Sequence, residues 1–267
     1  MKQSYGAPPP APGGRAALHA AIIMDGSGRW AERRGWPRAA GHRAGAEAVR
    51  RAVSAAPGAG IGTLTLFAFS AANWRRPAAE ASTLMEIFAG YLEGDRRAHL
   101  AQGVRVSVIG CRRRLPEALV AAIERSERAT VRGTRLHLRL AIDYSAREAV
   151  AEAAALWRQH GFHQARSGAE PGPARATTER GRVADLFART LAEVLHDPAP
   201  APDVDLLIRT GGEQRLSDCL LWEGAFAEIV FTGRLWPDFG AADLTAAVAE
   251  FQRRLRRFGG VVESAAS

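Results

Sequence analysis

The sequence predicts an α/β fold: a single domain on a central, mainly parallel six-stranded sheet flanked by helices. Three observations support this. Six short apolar runs of strand character alternate with longer segments of helical period. The 267 residues are 47% hydrophobic and 24% charged, a globular composition with enough chain to bury a core without staples. The longest nearly apolar run, residues 64–72, is too short to cross a bilayer.

The elements follow in order. Residues 1–18 are rich in proline and glycine and lack the apolar core of a secretory signal, so they read as a disordered leader before a domain spanning 19–260. The run 20–24 reads as a short buried strand that ends at Asp25 and Gly26-Ser27-Gly28, where missing Cβ atoms let backbone N–H groups approach a ligand. Residues 64–69 form a second strand. After Pro77, Leu84, Ile87, Phe88, Tyr91 and Leu92 recur at helical spacing and give a broad apolar stripe, which ordinary core packing explains. Strands follow at 104–109 and 136–142. The stretch 162–181 mixes Gly, Pro, Ser and Thr with charges and reads as a mobile loop. Strands at 205–208 and 226–231 precede a basic helix ending near Phe258, and 261–267 is left as a tail.

Two of these strands end in loops suited to anions. Asp25 is followed by Arg29, Arg33, Arg34, Arg38 and His42. One acid among so many bases suggests a metal-bridged polyphosphate site, since magnesium is usually held by one or two carboxylates plus phosphate oxygens. The alternative is that Asp25 merely caps the next helix and the arginines form its solvated face. The second loop, Arg209-Thr210-Gly211-Gly212-Glu213-Gln214-Arg215-Leu216-Ser217, repeats the design of strand, glycine turn and phosphate-type donors.

The formal net charge of +8 would suit nucleic acid, an anionic membrane surface or phosphorylated substrates. It discriminates little, because arginines are spread along the chain and Lys2 is the only lysine. No nucleic-acid-binding motif accompanies the charge and aromatic residues are only 7%, so a nucleic-acid partner is not expected. Cys111 and Cys219 form no CxxC pair, which points to neither zinc nor a disulfide framework but to a reduced cytoplasmic interior.

The segments MDGSGRW (24–30), RAAGHRAG (38–45), LFAFSAANWRRP (66–77), LLIRTGGEQRLSDCLLW (206–222) and LWPDF (235–239) together resemble the cis-prenyltransferases, the undecaprenyl diphosphate synthase family. The resemblance covers nearly all of residues 19–260. It implies condensation of isopentenyl diphosphate with an allylic prenyl diphosphate, with Mg2+ as cofactor, a hydrophobic tunnel for the growing tail, and a homodimer. It also leaves room for a peripheral membrane contact at product release. Asp25 matches the family's metal-binding aspartate, with Glu228 as a further acidic ligand. Gly26, Ser27, Gly28, Arg29, Arg38 and His42 match its allylic diphosphate pocket, and Arg209, Arg215, Leu216 and Ser217 its isopentenyl diphosphate site.

Ser70, Ala71, Ala72, Asn73, Trp74 and Arg76 fall in the family's flexible loop. Asn73 cannot be a strong base, so its implied role is orientation or proton relay, with diphosphate itself as a proton acceptor. Trp30 and Trp74 would shield the carbocation from water or serve as core aromatics. Arg257 and Gly259 match an Arg-x-Gly tail that reaches the partner's site in some members. Ser27 replaces the usual Asn, Ala72 an acid, Asp143-Tyr144-Ser145-Ala146-Arg147 the usual Asn-Tyr-Gly-Gly-Arg, and Glu223 a Gln. Such departures suggest a divergent member, for which a shorter or irregular product and a regulatory, non-enzymatic role are the alternatives. Ala68, small and facing the expected tunnel, leaves room for a long tail.

Overall fold

The six apolar runs form one sheet in which every pairing is parallel, rather than merely most of them. The computed structural model describes residues 17–158 and 179–254. Strands β1 (Leu18–Ile23), β2 (Ile61–Ser70), β3 (Val104–Ile109), β4 (Leu136–Tyr144), β5 (Leu206–Arg209) and β6 (Glu228–Phe231) lie in the order β3-β4-β2-β1-β5-β6. Parallel neighbours require long crossovers. Helices α1 (Ser27–Glu32), α2 (Arg38–Ala55), α3 (Ala78–Gly94), α4 (Arg96–Ala101), α5 (Glu117–Thr130), α6 (Ala146–Leu156) and α7 (Glu179–Val194) lie in all of them but the β5–β6 connection, which runs through turns, and together with α8 (Ala241–Arg253) cover both faces.

Alternation along the strands sorts the core into two layers. Ala20, Ile22, Leu64 and Leu66 pack with Val49, Leu84, Ile123 and Val248 on the side of α2, α3, α5 and α8. Ala21, Ile23, Phe67 and Leu207 pack with Ala149 and Leu191 on the side of α6 and α7. The second face also holds a buried polar network. His19 meets Thr65 Oγ1 at 2.8 Å, and Arg139, only 1% exposed, donates to Thr65 and pairs with Asp197 at 2.7 Å.

β2 is longer than expected, because Ile61 is buried and pairs with Leu18. Gly62, which looks like a breaker, sits so close to Ala17 that a Cβ would come within 2.6 Å of it. β6 starts two residues later than expected, since Phe226 lies in a turn and is exposed. Most of the loop expected at 162–181 and all of 1–16 lie outside the described residues, but Glu179 already begins α7.

The strand order turns back at β1, with β2 on one side and β5 on the other. In open parallel sheets the crevice beyond the carboxyl ends of such strands is where ligands bind. Asp25 follows β1 and Arg209 ends β5 at this point.

Candidate active site

Asp25 is fixed by its backbone before its side chain does anything. Its N–H donates to Thr210 Oγ1 at 2.9 Å, the Thr210 hydroxyl lies 2.8 Å from its carbonyl oxygen, and Trp236 N–H donates to the same carbonyl at 3.0 Å. Gly26 then adopts φ +106°, and a Cβ there would lie 2.7 Å from Leu235, so the turn requires glycine. The carboxylate is gripped from both sides: Arg29 donates to Oδ1 and Arg209 to Oδ2, each at 3.0 Å. Burial alone would raise the Asp25 pKa, but the hydrogen bonds from Arg209 and Arg29 reverse this and hold it below the ordinary value.

Arg209 joins the two anion-type loops. It is 3% exposed and donates to Ser217 Oγ at 2.8 Å and to the carbonyl of Arg215. Its Nε is buried without a partner among the described residues. Ser217 has φ +51°, a turn conformation that aims its hydroxyl at this guanidinium. Arg215 is exposed and paired with Glu213, which lies 3.6 Å from Arg29. Leu216 belongs to the second core layer and does not face the site as a contact residue.

A second basic group gathers around Glu80, which sequence reasoning missed. Glu80 accepts from Arg38 at 3.2 Å and Arg76 at 3.0 Å, and its Oε1 lies 3.1 Å from His42 Nε2. Burial would raise the Glu80 pKa, yet these donors lower it. His42 is lowered by burial in spite of Glu80, so it is neutral at pH 7. Arg38 lies so close over Gly28 that a Cβ there would be 2.4 Å from its guanidinium. Arg29 and Arg209 thus rest on Asp25, and Arg38 and Arg76 on Glu80, an arrangement that holds four phosphate-type donors around one opening.

Below these groups an apolar cavity of about 170 Å3 opens between α2, α3 and the sheet. Asp25, Gly26, Ser27, Gly28, Arg29, Arg38, His42 and Arg76 line its mouth, and Val49, Ala68, Leu84 and Tyr91 its interior. Trp236, which falls within the LWPDF motif but carried no expected site role, lines it with Nε1 bonded to Gly45 O.

Several expected site residues are placed elsewhere. Trp30 does not line the cavity: Arg34 lies 4.0 Å over its ring, and its Nε1 donates to Asp238 at 2.7 Å. Asn73 and Ser70 cap the 3-10 turn Ala71–Arg75, with Ser70 N–H donating to Asn73 Oδ1 at 3.0 Å. Ala71, Ala72 and Trp74 do not line the cavity, and of that loop only Arg76 does. Trp74 packs on the first core layer instead.

Glu228 is not brought to Asp25 within one chain. Strand register aligns Ala20, Leu206 and Glu228, five residues short of Asp25 along the sheet and so roughly 16 Å away along the strand direction. On edge strand β6 it pairs with Arg254 at 3.0 Å. Arg257 and Gly259 lie outside the described residues.

Among the described residues no three His, Cys, Asp or Glu side chains could hold a metal ion by themselves. Any ion here needs ligand oxygens as well. A single ionised carboxylate ringed by phosphate-type donors fits magnesium, which commonly takes one or two carboxylates plus phosphate oxygens.

Comparison with known proteins agrees with this geometry. Residues 23–259 match the prenyltransferase family described as undecaprenyl diphosphate synthase. Isoprenyl transferase 1 of Bradyrhizobium diazoefficiens is 50% identical over 244 residues, covering 91% of this chain and 90% of that protein. The (2E,6E)-farnesyl-diphosphate-specific ditrans,polycis-undecaprenyl-diphosphate synthase of Salmonella paratyphi A is 42% identical, covering 91% of this chain and 90% of that protein. Among solved structures, lavandulyl diphosphate synthase from Lavandula x intermedia in complex with dimethylallyl diphosphate superposes with a TM-score of 0.77 at 36% identity, over 91% of this chain and 98% of that one.

Proposed function

Because the chain belongs to the undecaprenyl diphosphate synthase family of prenyltransferases, we propose that it condenses an allylic prenyl diphosphate with isopentenyl diphosphate to form a cis-prenyl diphosphate. The observation that carries this is Asp25, held ionised between Arg29 and Arg209 at the mouth of an apolar cavity. In the reaction the allylic C–O bond breaks and diphosphate leaves with the electron pair. The isopentenyl double bond attacks the allylic carbon to form the new C–C bond, and loss of a proton leaves the cis double bond.

The barrier lies largely in expelling diphosphate while a cation develops, so groups aimed at the leaving anion matter most. Arg38, Arg76 and neutral His42 suit the allylic diphosphate, and Arg209, Arg215 and Ser217 the second one. Magnesium, held by Asp25 and substrate oxygens, would supply Lewis-acid withdrawal of charge from the leaving group. No strong base lies among Ser70, Asn73 and Arg76, which supports diphosphate itself as the proton acceptor.

We also place the chain in a cytoplasmic homodimer. Leu221, Trp222, Phe226 and Phe231 are exposed around the open edge of the sheet at β6, an apolar surface suited to a second copy. Both cysteines are free, and no helix among the described residues is long and apolar enough to cross a membrane. Contact with a membrane would be peripheral, at product release.

Labelled isopentenyl diphosphate with a dimethylallyl, geranyl or farnesyl diphosphate primer and magnesium should give extended products, and no incorporation from any primer would refute the proposal. Likeness to lavandulyl diphosphate synthase keeps a second reading, the joining of two allylic units; dimethylallyl diphosphate alone would then condense. A purely regulatory role is disfavoured, since Asp25, Arg29 and Arg38 are all present at one cavity.

A further inference from the structure

We infer that this chain makes a short prenyl product, of roughly geranyl to farnesyl length, because Tyr91 closes the apolar cavity about two to three helical turns below the diphosphate-binding groups. The inference rests on the proposed function and adds the class of product.

The depth follows from the two helices that wall the cavity. On α2 the lining descends from Arg38 through His42 to Val49, and on α3 from Leu84 to Tyr91. These spans of eleven and seven residues correspond to about 16 and 10 Å at the α-helical rise. Below this level the same elements are solid core: Ala52 and Val53 on α2, Leu92 on α3 and Leu138 on β4, one alternation below the lining residue Leu140, are all at most 3% exposed. The cavity volume of about 170 Å3 agrees with that depth. An apolar cavity of roughly 150 Å3 holds one benzene-sized molecule, so there is room for one or two five-carbon units and none for an undecaprenyl chain.

Tyr91 is held across the floor from two sides. Its hydroxyl lies 3.1 Å from Nε2 of His99, a buried residue on α4. The Arg50 guanidinium lies 5.8 Å from the ring centroid and is itself fixed by Asp95, with contacts of 2.8 and 3.0 Å. For a longer tail to descend, the ring would have to swing out of a close-packed core and abandon a buried hydrogen bond. Ala68 does line the cavity, but the space it leaves ends at Tyr91.

The full-length protein is incubated with magnesium, labelled isopentenyl diphosphate and each of the dimethylallyl, geranyl and farnesyl primers, and the dephosphorylated products are sized by mass spectrometry. The wild type is expected to stop after one or two additions to the shortest primer and to extend farnesyl diphosphate poorly. Tyr91→Ala should lengthen the product by at least one unit, while Tyr91→Phe, which keeps the ring, should leave it unchanged. Ala68→Leu narrows the same space from β2 and should shorten the product further. Wild-type products of undecaprenyl length would overturn the inference while leaving the proposed function intact. So would a folded, active Tyr91→Ala variant with unchanged products. If Tyr91→Ala does not fold, the wild-type and Ala68→Leu product lengths decide. An absence of incorporation from every primer would instead overturn the proposed function, and this inference with it.

Discussion

Asp143 accepts a hydrogen bond from Trp74 Nε1 at 2.8 Å, and the same carboxylate receives Arg114 through both of its oxygens. The side chain is fully buried and the backbone sits at φ +53°, a conformation that Asp tolerates better than most residues. This ties the turn Ala71–Arg75, and with it Arg76, to the end of β4. Asp143→Ala would leave the Trp74 indole and Arg114 without their acceptor. Unfolding free energy should fall by about 2–3 kcal/mol in denaturant titrations, and KM for the allylic diphosphate should rise severalfold. Asp143→Asn retains an acceptor for Trp74 and should recover most of the KM effect. An alanine variant with unchanged stability and KM would remove the turn from any positioning role.

Asp25→Asn preserves shape but removes the charge and, because the amide keeps a single oxygen, leaves either Arg29 or Arg209 without its acceptor. We expect kcat to fall by about 100-fold or more, with the fold retained, because what is lost is charge stabilisation at the leaving group. The depressed Asp25 pKa also has a definite sign: the stability its ion pairs contribute is present above the unfolded value of 3.8 and is lost only as pH falls below it. Any loss of rate on acidification between pH 7 and 5 must therefore come from another group. A kcat for Asp25→Asn within a factor of three of wild type would exclude the carboxylate from the chemistry.

Much of this site was legible in the chain, and the parts that were not share a reason. Asp25 and Arg209 could be found because each closes an apolar run and is followed by glycine, a local pattern with a local cause. Glu80 could not: four residues after Arg76 at the start of an amphipathic helix, it looks like an ordinary surface pair, and only the approach of α2 to α3 makes it the hub of Arg38, His42 and Arg76. Thr210 escaped notice similarly, because its hydroxyl acts on the backbone of a neighbouring strand. Glu228 was drawn toward Asp25 by motif, but distance along a sheet depends on strand register, which a linear pattern does not carry. The six strands were recoverable because both faces of a parallel sheet are buried and the runs are strongly apolar. The stripe Leu84 to Leu92 was equally visible, yet periodicity does not distinguish a residue packed in a core from one flooring a cavity.

Glu80→Gln tests whether this carboxylate organises the basic group or competes with substrate for it. Arg38, Arg76 and His42 converge on its two oxygens, so its charge holds three flexible heads within reach of one ligand. Loss of that charge should raise KM for the allylic diphosphate about tenfold, equivalent to about 1.4 kcal/mol, with a smaller change in kcat. Steady-state kinetics with the primer varied would show this. A lower KM would mean that Glu80 competes with the substrate.

Stability should depend on pH through the buried polar layer. His19 is pushed down to about 3, chiefly by burial and then by Arg139, and His137 is also lowered to about 3 for the same two reasons. In the unfolded chain both titrate near 6.5, so below that pH the unfolded state binds protons that the folded state refuses. Stability is therefore full above about pH 6.5 and falls as pH drops toward 3, by about 1.4 kcal/mol per pH unit for each of the two histidines over the steep part. His19→Gln keeps a neutral polar group near Thr65 Oγ1 and the Pro202 carbonyl but cannot take up a proton. It should cost stability at pH 7 yet flatten the slope between pH 6 and 4 when denaturation midpoints are measured across that range. An unchanged slope would show that His19 is not among the groups whose protonation opens the fold, leaving His137 and the carboxylate pairs to account for it.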